Sequence, residues 1–451
     1  MKKRGSFSSK VGFVLAASGS AVGLGNIWRF PYLAAKYGGG TFLLCYLILA
    51  VTFGFTLMIA EIAIGRKTRL STIGSYKSLD SRFGFLGVLS SAIPFIIFPY
   101  YCVIGGWVVK YLATFATGGM TASTDDSYFT TFIGGLGGPL LWFCLFVACT
   151  AIVVLFGVEK GIEKVSTILM PVLVLLTVGI AVYTLTIDGA LAGFVYYVKP
   201  DLAHFSVKTV LAAMGQLFYS MSLAMGIMIT YGSYMKKENP LESSVRQIEF
   251  FDTAIAFFAG MMIIPAVYAF SGGDESAMSA GPGLMFITLP KVFASMPGGS
   301  IVGTVFFVLV FFAALTSAIS LMETLVSIIM DKMHWTRKKT CIFTIIFTLV
   351  LGIPSSLGFG VLSFIQPLGM SILDAWDFLS NSVLMPIAAL FTCIFVGFFI
   401  QPKTICDEVR AAGAPFQSEK LFTVMIKWVA PIFLVAILLS SILNAFGVVN
   451  I

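Results

Sequence analysis

The sequence predicts an all-α integral membrane protein of about eleven transmembrane helices, with two inverted five-helix repeats and one extra helix. Three observations predict it. The chain is 58% hydrophobic and only 11% charged, with a mean hydropathy of +0.97, whereas a soluble domain carries about 25% charged residues. Its apolar residues gather in runs near the ~20 residues needed to cross the hydrocarbon. The first and sixth runs are interrupted by small and polar residues, at matching positions of the two halves.

Taken in order, the runs fall at roughly 11–36, 40–64, 84–112, 139–156, 163–186, 208–235, 246–270, 298–331, 338–354, 372–398 and 420–447. No long linker or low-complexity segment divides them, so residues 1–451 form one transmembrane domain. The halves are residues 11–186 and 208–398, and 420–447 is the additional helix. The stretch from Pro354 to Met370 is glycine-rich and apolar, and its boundaries stay open. The opening Met1-Lys2-Lys3-Arg4 resembles a signal-peptide start, but a long broken span follows without a small-residue cleavage site, so it is expected to be retained.

Charge sets the orientation. With the N-terminus inside, all but six of the 28 Lys and Arg residues fall on the cytoplasmic side or its membrane edge; the six are Arg29, Lys36, Lys110, Lys199, Lys208 and Lys291. This predicts a multi-pass plasma (inner) membrane protein, N-terminus cytoplasmic and C-terminus extracellular or periplasmic. The net charge of +7 comes from loop clusters rather than from a basic face, so the partner is the lipid bilayer and not nucleic acid. Seven cysteines, all but Cys406 in apolar runs, suggest reduced thiols. Nothing in the sequence sets an oligomeric state.

The first run reads Gly19-Ser-Ala-Val-Gly-Leu-Gly-Asn-Ile-Trp-Arg29 and continues into Phe30-Pro31. Glycine in a helix interior costs about 1 kcal/mol relative to alanine. Such a cluster needs close packing or an unwound backbone, and on these residues alone a packing face remains the alternative. An unwound backbone at membrane depth is tolerated only where protein or a cavity covers it. The sixth run holds Gln216, Ser220 and Ser222 before an Ala224-Met225-Gly226 step. Half-helix N-termini suit a carboxylate, and unwound carbonyls suit a hard cation such as Na⁺.

These motifs resemble the neurotransmitter:sodium symporters, especially their bacterial amino-acid members with the LeuT fold. The resemblance rests on Gly19 to Tyr32, on Ala60-Glu61 with Gly65-Arg66, and on Gly215-Gln216. Phe286-Ile-Thr-Leu-Pro290 and Ala313-Ala-Leu-Thr-Ser317 extend it. It implies a first sodium site of Ala21, Asn26, Ser220 and Asp252, and a second of Gly19, Val22, Ala313, Thr316 and Ser317. It places the substrate carboxylate against the Leu24 and Gly25 amides and the Tyr101 hydroxyl, and the ammonium near Ala21, Tyr219 and Ser317. Ile97, Ala318, Leu321, Ser222 and Met225 line the pocket, and Gly23 stands where amine carriers of the family have Asp. The resemblance also implies an outer gate pair, Arg29 and Asp377, under a lid of Tyr101 and Tyr219. The inner pair is Arg4 and Asp331, supported by Tyr234 and Phe7. Glu61 should receive N–H groups of the broken sixth span.

The expectation is a sodium-coupled symporter of a neutral, hydrophobic amino acid, working by alternating access with two Na⁺ sites. Asp252 supplies charge beside sodium where many members have Asn and use chloride, so chloride should not be required. The alternative is a non-transporting amino-acid sensor of the same fold. An enzyme is not expected, because the two histidines, His204 and His334, stand in loops without a nucleophile or metal spacing.

Overall fold

The computed structural model describes residues 5–272 and 282–445, and all its regular structure is helical apart from one isolated bridge between Gly39 and Pro200. Among the described residues, nine helices are long and apolar enough to cross a membrane, and one bent pair passes the same test together. The bent pair is α1 (Lys10–Ala21) and α2 (Gly25–Lys36), which meet at 55°. Next come α3 (Gly40–Thr68), α4 (Ser81–Ala116), α5 (Gly137–Leu155) and α6 (Val158–Thr184). The sixth predicted span is two short pieces, α7 (Val207–Ser220) and α8 (Ile227–Tyr234). Then follow α9 (Leu241–Phe270), α10 (Gly299–Met333), α11 (Arg337–Leu357), α12 (Ile372–Phe399) and α13 (Glu419–Leu443).

Nine of the predicted runs fall on one of these helices each, and the first and sixth each fall on two, with shifts at the ends. α9 begins at Leu241 rather than near 246, because its first turns carry Glu242, Ser243 and Arg246 and leave the apolar slab. Asp252, expected near the start of this span, therefore lies three turns inside it and is fully buried. α11 ends at Leu357, and the open stretch beyond it is mostly exposed turns as far as α12.

The centre is built by α4 and α10, which pack along each other, with α1 and α8 leaning on α10. Small residues let backbones touch where α8 meets α3. A Cβ on Gly65 would stand 1.9 Å from the Ile229 carbonyl oxygen, and one on Gly232 would stand 2.4 Å from that of Ile62. Membrane helices associate through such close approaches because lipid gives no hydrophobic drive between them. The exposed apolar residues, among them Ile152, Leu175, Ile301 and Val350, form the lipid-facing surface.

Trp28 and Trp107 sit inside the helix bundle. Both are buried and meet the ring of Phe286 edge-on, whereas the exposed tryptophan is Trp428.

Candidate sodium and substrate site

The site lies where α1 and α7 end. α1 stops at Ala21, and the chain passes through Val22 before α2 starts at Gly25. The first N–H groups of a helix have no intrahelical acceptor, and the α2 start at Leu24 and Gly25 lies at this break, with the Leu24 backbone beside the Tyr101 hydroxyl. α7 stops at Ser220, and Ser222, Ala224 and Gly226 follow with φ of 54°, 61° and 74°. Left-handed backbone costs a non-glycine residue roughly 1–2 kcal/mol and needs holding. Ser222 Oγ donates to the Ser20 carbonyl at 2.9 Å, and Ser20 Oγ donates to Ser222 Oγ at 3.2 Å. The Ala224 N–H donates to Glu61 Oε1 at 2.6 Å. The two breaks are thus tied to each other and to α3.

Between them lies a cavity lined by Ser20, Ala21, Gly23, Leu24, Gly25, Asn26, Ile97, Tyr101, Tyr219, Ser220, Ser222, Met225, Ile227, Ser317 and Leu321. Among the described residues no charged side chain lines it. The Tyr101 hydroxyl is buried without a hydrogen-bond partner among the described residues. It faces the Gly23 position, where a Cβ would stand 3.3 Å from it and 2.7 Å from Ser317 Oγ. Glycine at 23 keeps that corner open. Ala318 is a correction: it is buried but off the cavity wall, because one step along α10 turns it about 100° away from Ser317.

The first predicted sodium set comes together around Asp252. Asn26 Nδ2 donates to Asp252 Oδ1 at 2.8 Å, Ser220 Oγ donates to the same oxygen at 2.8 Å, and the Gly23 N–H donates to Asn26 Oδ1 at 3.1 Å. Tyr46 OH donates to Asp252 Oδ2 at 3.2 Å. Tyr46 was not foreseen; its only signal in the sequence is a phenol deep in an apolar run, where it needs a polar partner. The second set also converges. Ser317 Oγ lies 3.5 Å from the Gly19 carbonyl and 3.3 Å from that of Val22, and Thr316 Oγ1 donates to the Ala313 carbonyl at 3.2 Å. A Cβ on Gly19 would stand 3.2 Å from Thr316 Cβ. Both clusters are oxygen-rich and buried, as a hard monovalent cation requires.

The gates are arranged less simply. Arg29 and Asp377 face one outer cavity, with Tyr219 between that cavity and the central one. The expected direct ion pair is not formed among the described residues. Asp377 instead accepts from Tyr100 OH at 3.0 Å and Asn381 Nδ2 at 2.6 Å, and the Arg29 guanidinium lies 5.2 Å from the Tyr219 ring centre. Two donors satisfy the carboxylate, and the ring offers the cation its π face. On the inner side Arg4 lies outside the described residues, while Asp331 accepts from the Ser71 N–H at 2.7 Å. Tyr234 OH donates to Glu323 Oε1 at 2.8 Å, and Arg337 pairs with the fully buried Glu323. Phe7 is buried against Tyr231 and Tyr234 and covers the floor.

The model of the sodium:neurotransmitter symporter family matches residues 4–131 and 130–448. The chain belongs to this family. An uncharacterised sodium-dependent transporter of Bacillus subtilis is 33% identical over 97% of both chains. The sodium- and chloride-dependent GABA transporter 2 of Homo sapiens is 25% identical over 90% of this chain and 75% of its own. The crystal structure of MhsT in complex with L-phenylalanine superposes with a TM-score of 0.88 at 38% identity, covering 97% of this chain and all of that one. This symporter therefore has the LeuT-type fold of MhsT and is a multi-pass membrane transporter of a sodium-dependent family, not an enzyme.

Proposed function

We propose that this symporter imports a neutral, hydrophobic amino acid together with sodium, does not require chloride, and keeps its N-terminus in the cytoplasm. The carrying observation is the pairing of an uncharged, largely apolar cavity with the buried Tyr101 hydroxyl and the helix start at Leu24–Gly25 that lies beside it. A zwitterion's carboxylate satisfies those donors and lies beside the sodium ligands Asn26 and Asp252. Sodium and substrate then stabilise each other, and the coupling is reciprocal. Ile97, Met225, Ile227 and Leu321 give the side chain an apolar wall, and Met225 adapts its shape. A charged side chain has no partner there. L-phenylalanine, the ligand in MhsT, is the first candidate.

Asp252 supports the chloride-free reading. It brings a full negative charge to the sodium cluster, and Ala256, one turn on, offers an anion no donor. Arg29 and Tyr219 above the cavity, and Phe7 and Tyr234 below it, are the closures that open in turn as one bundle rocks against the other. Uptake of labelled L-phenylalanine into proteoliposomes, with chloride replaced by gluconate on both sides, tests the reading. Undiminished sodium-driven accumulation is expected. Loss of uptake on chloride removal contradicts the assignment of Asp252, and saturable binding without accumulation means a sensor.

A further inference from the structure

Three side chains on the wall of the outer cavity, Arg29, Asp377 and Asn381, leave hydrogen-bonding capacity unused. Asp377 takes both of its donors on one oxygen. Tyr100 OH at 3.0 Å and Asn381 Nδ2 at 2.6 Å both reach Oδ1, and no donor among the described residues reaches Oδ2. The Arg29 guanidinium stands 5.2 Å from the Tyr219 ring centre and donates to no side chain among the described residues. Asn381 Oδ1 is buried and has no partner among them either.

Chemistry fixes which way the Asn381 amide points. An ionised carboxylate only accepts, so the nitrogen is the end that meets Asp377. That nitrogen gives its second hydrogen to Tyr100 OH at 3.2 Å. The carbonyl oxygen is therefore turned away from Asp377, and flipping the amide would set oxygen against oxygen. Asn381 follows Asp377 by one turn of α12, and residues four apart share a helix face. Asp377 Oδ2 and Asn381 Oδ1 are thus two open acceptors on neighbouring positions. An arginine carries five N–H donors in a flat fork that suits such a pair.

We propose that Asn381 is a member of the outer gate: when the lid closes over substrate, the Arg29 guanidinium bridges Asp377 Oδ2 and Asn381 Oδ1. This rests on the alternating-access reading above. Tyr100 and the Asn381 nitrogen keep hold of Asp377 Oδ1 and so aim Oδ2 at the incoming cation. The second acceptor is neutral, so the closed gate carries no net charge. A second carboxylate there would leave an uncompensated charge out of water, which is costly. An isolated ion pair near water adds little to stability. The extra hydrogen bond to the guanidinium is what lengthens the stay of the substrate, because bonds to charged groups are the stronger ones.

The test follows release of labelled L-phenylalanine from the sodium-loaded protein in detergent, together with half-saturation and maximal rate of uptake in proteoliposomes. Asn381→Leu keeps the volume and removes both polar ends; Asn381→Ser is the smaller change should the first not fold. Either should speed release and raise half-saturation about tenfold, the size of one hydrogen bond to a charged group, with the maximal rate held. Arg29→Ala should do the same, and Asn381→Leu added to it should speed release no further, because the two act through one contact. A loss of stability alone would add to the Arg29→Ala effect. Release at the unaltered rate in the Asn381 variants, or a full further tenfold in the double variant, overturns the proposal. If the unaltered protein neither holds nor accumulates phenylalanine in sodium, the transport reading fails and the gate falls with it, whereas normal accumulation with unaltered release in the variants overturns the gate alone.

Discussion

Gly25→Ala tests the lid by geometry alone. A Cβ built on Gly25 stands 2.5 Å from Tyr219 Cδ1 and 2.6 Å from Cε1, where ordinary contact begins at 3.4 Å. The Tyr219 ring must therefore withdraw by about 1 Å from its place over the cavity. Overpacking of this kind costs roughly 1–3 kcal/mol. Because the strain falls on the closed, substrate-holding form, half-saturation for substrate should rise about five- to 150-fold. Gly215→Ala on α7, the helix that carries Tyr219, is the control. Nothing lies within 4 Å of its Cβ, so affinity should hold and the helix gains up to about 1 kcal/mol. The assay is sodium-dependent uptake in proteoliposomes over a range of substrate concentration. Equal half-saturation in Gly25→Ala and the unaltered protein would refute the assignment of Tyr219 as the lid.

Tyr46→Phe removes one of three side-chain donors to Asp252 and should weaken sodium activation of uptake about tenfold, on a hydrogen bond to charge of roughly 1.5 kcal/mol; the sodium dependence of initial rates checks it. Arg66→Ala leaves Glu408 buried without its cation and should cost about 3–5 kcal/mol, read as a large fall in melting temperature in detergent. Arg337→Ala strips the partner from Glu323 under Tyr234. It should both destabilise the protein and raise the accessibility of a single cysteine placed on the inner path, since the Tyr234 contact then loses its anchor.

Much of this site is readable in the sequence because membrane depth makes polar and glycine residues expensive. Gly19 to Arg29 and Gln216 to Gly226 stand out against an apolar background for that reason, and the structure brings both breaks to one cavity. Three features were out of reach. Tyr46 sits in an apolar run whose periodicity says nothing of which aromatic turns inward. Hydropathy follows the lipid-facing length, so the first polar turns of α9, from Leu241, were missed. The pairing of Arg29 with Asp377 ignores competition, and Tyr100 and Asn381 reach the carboxylate first. Competition of that kind is decided by packing between distant helices.

Sodium-dependent uptake of labelled L-phenylalanine, beside Asn26→Ala and Thr316→Val, tests the central claim most directly. Asn26 bonds Asp252 at 2.8 Å in the first cluster, and Thr316 Oγ1 lies 3.2 Å from the Ala313 carbonyl in the second. Accumulation that needs an inward sodium gradient and fails in both variants is the predicted result. Accumulation that ignores sodium, or survives both substitutions, would contradict it.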